Sequence, residues 1–186
     1  MHVDRRKFLK ASAATAAMLG TGVGLSARSE AASDIGVASL LDLSGGLDIY
    51  GKPMIDALTL AVEEANAAGG LIGRKIKLIS YDTQSNMQLY TQFAQDAALK
   101  DKVAVAHGGI TSASREVIRP VFDKFKTLYF YNTQYEGGVC DRNQFETGVT
   151  PAQTVEKLVP FAMKKWGKKV YTVAADYNYG QITSQW

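Results

Sequence analysis

Val103-Ala104-Val105-Ala106-His107-Gly108-Gly109-Ile110-Thr111-Ser112-Ala113-Ser114 is the stretch on which the reading of this chain turns. A short apolar run of β character ends in two glycines, and hydroxyl residues then open a helix expected over Arg115 to Phe125. Amides at a helix start lack intrahelical partners, glycine admits a ligand close to the main chain, and hydroxyls both donate and accept. Taken alone, the stretch fits a plain strand-to-helix turn with an N-cap better than a ligand cradle. The segments on either side change that balance.

Upstream, Ile35 to Leu41 reads as an apolar strand with its turn at Asp42-Leu43-Ser44-Gly45-Gly46. Met54 to Ala68 places Met54, Ala57, Leu58, Ala61, Val62 and Ala65 at helical spacing and is closed by Gly69 and Gly70. Lys75 to Tyr81 is a second strand. Ser85 with Gln88 suggests a capping box for a helix whose Met87, Tyr90, Phe93, Ala94, Ala97 and Ala98 share one buried face. Downstream come a helix that Pro120 is expected to kink or restart, and a fourth strand from Thr127 to Tyr131. A helix over Ala152 to Trp166 and a fifth strand over Lys169 to Ala174 follow.

Strands alternating with helices through short links predict an α/β fold, a doubly wound parallel sheet. Ligands in such sheets sit beyond the carboxyl ends of the strands, where strand order reverses. The opening stretch lies at that edge. So do Ser44 and Tyr50-Gly51, the run Asn132-Thr133-Gln134-Tyr135-Glu136-Gly137, and the run Asp176-Tyr177-Asn178-Tyr179-Gly180. Tyr, Thr, Ser, Asn and Gln suit stacking on and hydrogen bonding to a small polar solute without reacting with it.

Of 21 basic and 18 acidic side chains, five basic and two acidic lie in residues 1–32, leaving 16 of each in the remainder. That balance gives no argument for nucleic acid or an anionic membrane as partner. Residues 1–32 read as a twin-arginine export signal. Arg5-Arg6-Lys7-Phe8-Leu9-Lys10 precedes a small, weakly apolar run from Ala11 to Leu25, and Ser29-Glu30-Ala31-Ala32 forms a cleavage region, with the cut expected near Ala31 or Ala32. The run is too short and too weakly apolar for a stable membrane span. The mature product is therefore expected in the periplasm. Cys140 is the single cysteine, so a disulfide would need a cysteine outside these residues; without a basic neighbour to activate it, it reads as structural.

At the edge turns the chain resembles the type I periplasmic solute-binding proteins of ABC importers, in the group handling branched-chain amino acids, amides and urea. The stretches that carry the resemblance are Leu40-Leu41-Asp42-Leu43-Ser44-Gly45, Glu64-Ala65-Asn66-Ala67-Ala68-Gly69-Gly70 and Thr111-Ser112-Ala113-Ser114-Arg115. Tyr131-Asn132-Thr133-Gln134-Tyr135-Glu136-Gly137 and Ala175-Asp176-Tyr177-Asn178-Tyr179-Gly180 complete it. The motifs from Thr111 and Tyr131 are closest to the urea and short-chain amide members. The resemblance implies two doubly wound lobes around a cleft. Residues 34–148 would form a nearly complete lobe one, with Phe145 to Gly148 as the first crossing, and residues 149–186 would begin a truncated lobe two. A longer chain and membrane permease subunits as partners are implied too.

Carried over position by position, the resemblance proposes Tyr50, Thr111, Ser112, Tyr131 and Thr133 from lobe one and Tyr177 and Tyr179 from lobe two as ligand-binding residues. Urea or an amide needs donors to its oxygen and acceptors to its nitrogens, which hydroxyls supply without full charge. An amino acid needs more: the helix start at Ser112 for its carboxylate and an acid for its ammonium. Glu136 and Asp176 are the acids at hand, although capping or solvation is the preferred reading of both, and Arg115 with Glu116 reads as a solvated helix face. Tyr131, closing a strand, is open to a core-packing reading. No catalytic or metal-binding residues are assigned and no cofactor is expected. His107 has no second histidine or nearby cysteine to complete a site, and Gly45, Gly46 and Gly51 miss the dinucleotide-binding spacing. An amide-sensing regulatory receptor of the same fold is the alternative function, and an exported amide hydrolase is a weaker third.

Overall fold

The computed structural model describes residues 33–186; residues 1–32, and with them the signal and its cleavage region, lie outside the described residues. Five strands form one parallel sheet: β1 (Ile35–Leu41), β2 (Ile76–Asp82), β3 (Val105–Gly108), β4 (Leu128–Tyr131) and β5 (Gln144–Glu146), in the order β2-β1-β3-β4-β5. Three helices connect the first four: α1 (Asp48–Ala67), α2 (Met87–Gln95, prolonged by a π-helical turn over Asp96–Lys100) and α3 (Ser112–Phe125). Two more follow the sheet, α4 (Val155–Trp166) and α5 (Asn178–Thr183).

Right-handed crossovers decide the layering. The step from β1 to β2 runs one way along the sheet, whereas β2 to β3 and β3 to β4 run the other. α1 therefore lies on one face, and α2 and α3 lie together on the opposite one. Ala38, Leu40, Ala106, Tyr129 and Tyr131 from the strands pack against Tyr90, Ala94 and Ala97 of the α2 segment and Ile118 and Phe122 of α3. This is the doubly wound sheet expected from the sequence. Its strand order reverses between β1 and β3, which opens a crevice at their carboxyl ends.

Four local expectations are corrected. α1 begins at Asp48 and not at Met54: an Asp48–Lys52 ion pair at 2.6 Å supports its first turns, and Gly51 is its one buried residue, so the helix runs through Pro53. The cap of α2 is Asn86, whose side chain accepts from the amides of Gln88 (2.8 Å) and Leu89 (3.4 Å). Ser85, expected in that role, accepts instead from the Leu47 amide at 3.1 Å and ties two edge turns together. α3 is one continuous helix through Pro120. Lys169 to Ala174, expected as the fifth strand, joins no ladder among the described residues; Tyr171 is 90% exposed, because no neighbouring strand stands beside it. The fifth strand is Gln144–Glu146, in the segment read as a crossing, and it pairs in parallel with β4.

His107 is buried on β3 between Ser39 of β1 and Phe130 of β4, and burial holds its imidazole below the ordinary 6.5. As pH falls, the unfolded chain takes up this proton first, so the stability present above pH 6.5 drains away below it. Glu146, raised by burial, works in the opposite sense at lower pH. His107→Gln is expected to flatten the decline of the guanidinium unfolding midpoint between about pH 7.5 and about pH 5.5. An unchanged slope would assign that decline to other groups.

Candidate functional site

At the carboxyl edge of the sheet the turns enclose a cavity of about 640 Å³. Leu47 and Tyr50 come from the start of α1, Ile110, Thr111 and Ser112 from the β3–α3 turn, and Tyr131, Asn132, Thr133 and Gln134 from the end of β4 and its turn. Thr147, Gly148 and Val149 follow β5, and Tyr177 and Tyr179 flank the start of α5. All seven residues singled out in the sequence thus line one cavity. Sequence reasoning missed Leu47, Ile110, Asn132, Gln134, Thr147, Gly148 and Val149. Of these, Asn132 and Gln134 carried the clearest signal, since they stand in the same polar run as Thr133.

The β3–α3 turn is shaped by its glycines. Gly108 has φ +140° and Gly109 has φ +77°, and a Cβ on Gly108 would overlap the Leu40 carbonyl of the adjacent strand. The turn then closes into a capping box. Thr111 Oγ1 accepts from the Ser114 amide at 3.1 Å, and Ser114 Oγ accepts from the amides of Thr111 (3.1 Å) and Ile110 (3.0 Å). The Thr111 hydroxyl therefore serves the helix as well as the cavity wall. Tyr131 OH and Thr133 Oγ1 both donate to the Ile110 carbonyl, at 3.1 and 2.9 Å. On the far side, Tyr177 and Tyr179 stack with centroids 6.3 Å apart, and Tyr179 OH donates to Gln134.

Directly behind the wall lies a buried ion pair that corrects the sequence reading of two residues. Arg115, expected on a solvated face, is 1% exposed, and Glu136, expected to cap or be solvated, is fully buried. The guanidinium grips the carboxylate in a fork, Nη2 to Oε1 at 2.6 Å and Nη1 to Oε2 at 3.0 Å. It lies over the rings of Tyr131 and Tyr135, 5.0 and 5.1 Å from their centroids. Ser112 Oγ donates to Glu136 Oε2 at 2.8 Å. Burial pushes the Glu136 carboxyl up, but the guanidinium and the Ser112 hydroxyl outweigh it and hold the group below its ordinary value. The carboxylate is fully occupied from within. Glu116 is half-buried and pairs with Arg119 at 2.6 Å, and Asp176 is exposed, accepting from Gln181 at 3.0 Å. Cys140, read as structural, is exposed and free. Among the described residues no cluster of His, Cys, Asp and Glu is placed to hold a metal ion.

Residues 35–186 match the periplasmic binding protein domain. The chain belongs to that family. Residues 2–22 match the twin-arginine translocation signal sequence, so this periplasmic binding domain is made for export to the periplasm. No helix among the described residues is long and apolar enough to cross a membrane. Leu/Ile/Val-binding protein homolog 7 of Brucella suis biovar 1 (strain 1330) is 41% identical over 161 residues, covering 85% of this chain and 40% of that protein. An ABC-type branched-chain amino acid transporter structure from Rhodopseudomonas palustris CGA009 superposes with TM-score 0.66 at 26% identity, covering 82% of this chain and 42% of that one. The amino acid ABC transporter substrate-binding protein of Pseudomonas fluorescens Pf-5 shares the fold, with TM-score 0.71 at 21% identity, 83% of this chain and 42% of that one. The chain thus spans about 40% of the length of these three relatives. These relatives are solute-binding proteins of transporters and not enzymes.

Proposed function

We propose that the protein is the extracytoplasmic solute receptor of an ABC importer, taking a branched-chain amino acid or a similarly small, neutral polar solute for delivery to a membrane permease. The observation that carries the reading is the cavity itself. In a domain of this family, hydroxyls and tyrosines from five separate segments converge on one uncharged hollow at the strand-order reversal. The names of the relatives support the branched-chain amino acid class. Tyr50, Thr111, Ser112, Tyr131, Thr133, Tyr177 and Tyr179 are proposed as its ligand contacts. Residues 34–148 are proposed as the first lobe and 149–186 as the start of the second, with solute shifting an open-to-closed equilibrium between them.

A second reading, urea or a short-chain amide, rests on one observation. Glu136, the acid hydrogen-bonded to the lining residue Ser112, is held by Arg115, and the described lining carries no charged side chain to meet an ammonium group. The export signal weighs against an amide-sensing regulator working in the cytoplasm. Calorimetry on the protein expressed from its complete reading frame, titrated with leucine, isoleucine, valine, urea and acetamide, is expected to show saturable binding of one class. A flat response to all five would remove the assignment.

A further inference from the structure

The turn after β2 holds a backbone conformation that side chains resist, and it does so beside the rim of the cavity. Gln84 and Ser85 have φ +54° and +55°, two successive non-glycine residues in the left-handed region. Such a conformation persists only where the surroundings over-determine it. Two carboxylates do so here. Asp42, fully buried, accepts through Oδ1 from the Ser85 amide at 2.9 Å and from the Thr83 hydroxyl, and Asp82 Oδ1 accepts from the Gln84 amide at 3.1 Å. Held in this way, Ser85 turns its Oγ toward the start of α1, where it accepts from the Leu47 amide at 3.1 Å.

Leu47 is the residue from which α1 starts, and its carbonyl accepts from the amides of Tyr50 (3.0 Å) and Gly51 (3.2 Å). Leu47 and Tyr50 both line the cavity, whereas Ser85 does not. Gly51 is buried against the turn after β1, so closely that a Cβ would overlap the Asp42 carbonyl. The first turn of α1 is thus pinned twice, to the β1 turn at Gly51 and to the β2 turn at Leu47. Its main chain is fixed, and the Tyr50 side chain is left to move.

We propose that Ser85 is a positioning residue for solute size: by holding the Leu47 amide it fixes how far the first turn of α1 stands from the other lining turns, and so limits the bulk of solute accepted. The inference rests on the proposed function, because it takes the cavity as the place where solute sits. It deepens that reading by naming what sets the size limit, a hydroxyl that lies outside the lining.

Ser85→Gly separates position from fold. Glycine adopts φ +55° without strain, so the turn keeps its shape while the oxygen that holds Leu47 is lost. Gln84→Gly relieves the same strain one residue earlier and leaves that oxygen in place. The test is isothermal titration of the protein expressed from its complete reading frame, as wild type and as each variant, with two size series: alanine, valine and leucine, and acetamide, propionamide and isobutyramide. A fitted apolar pocket separates neighbours in such a series by about tenfold or more per methylene. Wild type is expected to show that separation in the series it binds, Ser85→Gly to reduce it to about threefold or less, and Gln84→Gly to keep it. No separation in wild type, an unchanged separation in Ser85→Gly, an equal weakening of every solute, or a loss shared by Gln84→Gly overturns the positioning role. Should Ser85→Gly fail to fold, as judged by circular dichroism, Ser85→Ala removes the same oxygen and carries the comparison; failure of both to fold assigns Ser85 to the fold and overturns the role. Absence of binding by all six probes and by isoleucine and urea overturns the proposed function, and this inference with it.

Discussion

Arg115→Met is expected to lower stability by about 3–5 kcal/mol, because it leaves Glu136 ionised and buried without the cation that pairs with it among the described residues. Both partners are buried, and the pair is held at 2.6 Å. The guanidinium also fills the space between Tyr131 and Tyr135, so part of the loss is packing. Guanidinium chloride is the denaturant to use, since urea is itself a candidate ligand. The pH profile supplies a second reading. Glu136 is held below its ordinary value, so it contributes stability above about pH 4.5 that is lost as pH falls further. In the variant that contribution disappears, and the carboxyl takes up a proton closer to neutrality. Arg115→Met/Glu136→Met should recover most of the loss, as replacing a whole buried pair with apolar side chains costs far less than breaking it. By contrast, Lys52→Ala, which removes an exposed pair on α1, should change stability by about 0.5 kcal/mol or less. A small effect of Arg115→Met would mean that water reaches Glu136.

The second large effect is expected at Gly148. A Cβ there would overlap the carbonyl oxygen of Thr133, so the chain leaving β5 has to move away from the turn after β4. Neither neighbour is a flexible side-chain tip; both are main chain. Gly148→Ala is expected to cost about 3 kcal/mol, the upper end for forcing extra volume into a packed site. Since Gly148 and Thr133 both line the cavity, solute affinity should fall with stability. Gly46→Ala is the control: nothing lies within 4 Å of its added methyl, and its midpoint should match wild type. Thermal unfolding of both variants, with and without the best solute, reads the two effects together. A Gly148→Ala protein as stable as the control would show that the β5 turn yields easily.

The sheet was legible because its strands are apolar runs punctuated by glycine and its connecting helices show period 3.6, patterns fixed by local chemistry. The location of the candidate site followed from topology: once a doubly wound sheet is inferred, the turns at the carboxyl edge are the place to look. Arg115 was not legible. In sequence it sits beside Glu116 on a helix with Arg119 one turn on, which reads as a solvated face. It does bond Glu116 through Nε at 3.1 Å, but its fork closes on Glu136, 21 residues away in another edge turn, and only the packing of α3 against the end of β4 brings those two together. Asn86 took the capping role from Ser85 because Ser85 is engaged by the turn after β1, again a tertiary contact. Lys169 to Ala174 has strand character locally, but a strand exists only with a neighbour to pair with.

The Ile110 carbonyl, accepting from both Tyr131 and Thr133, joins the turn after β3 to the turn after β4 at one point. Those two turns are thereby stiffened before any solute arrives, and a solute that uses them spends little of its free energy on ordering them. The adaptable part of the wall is elsewhere: Tyr50 is 59% exposed on the first turn of α1. In the proposed receptor, tolerance for ligands of different size is accordingly expected to be set by Tyr50 and its neighbours at the rim, while the tied turns behind them hold their shape.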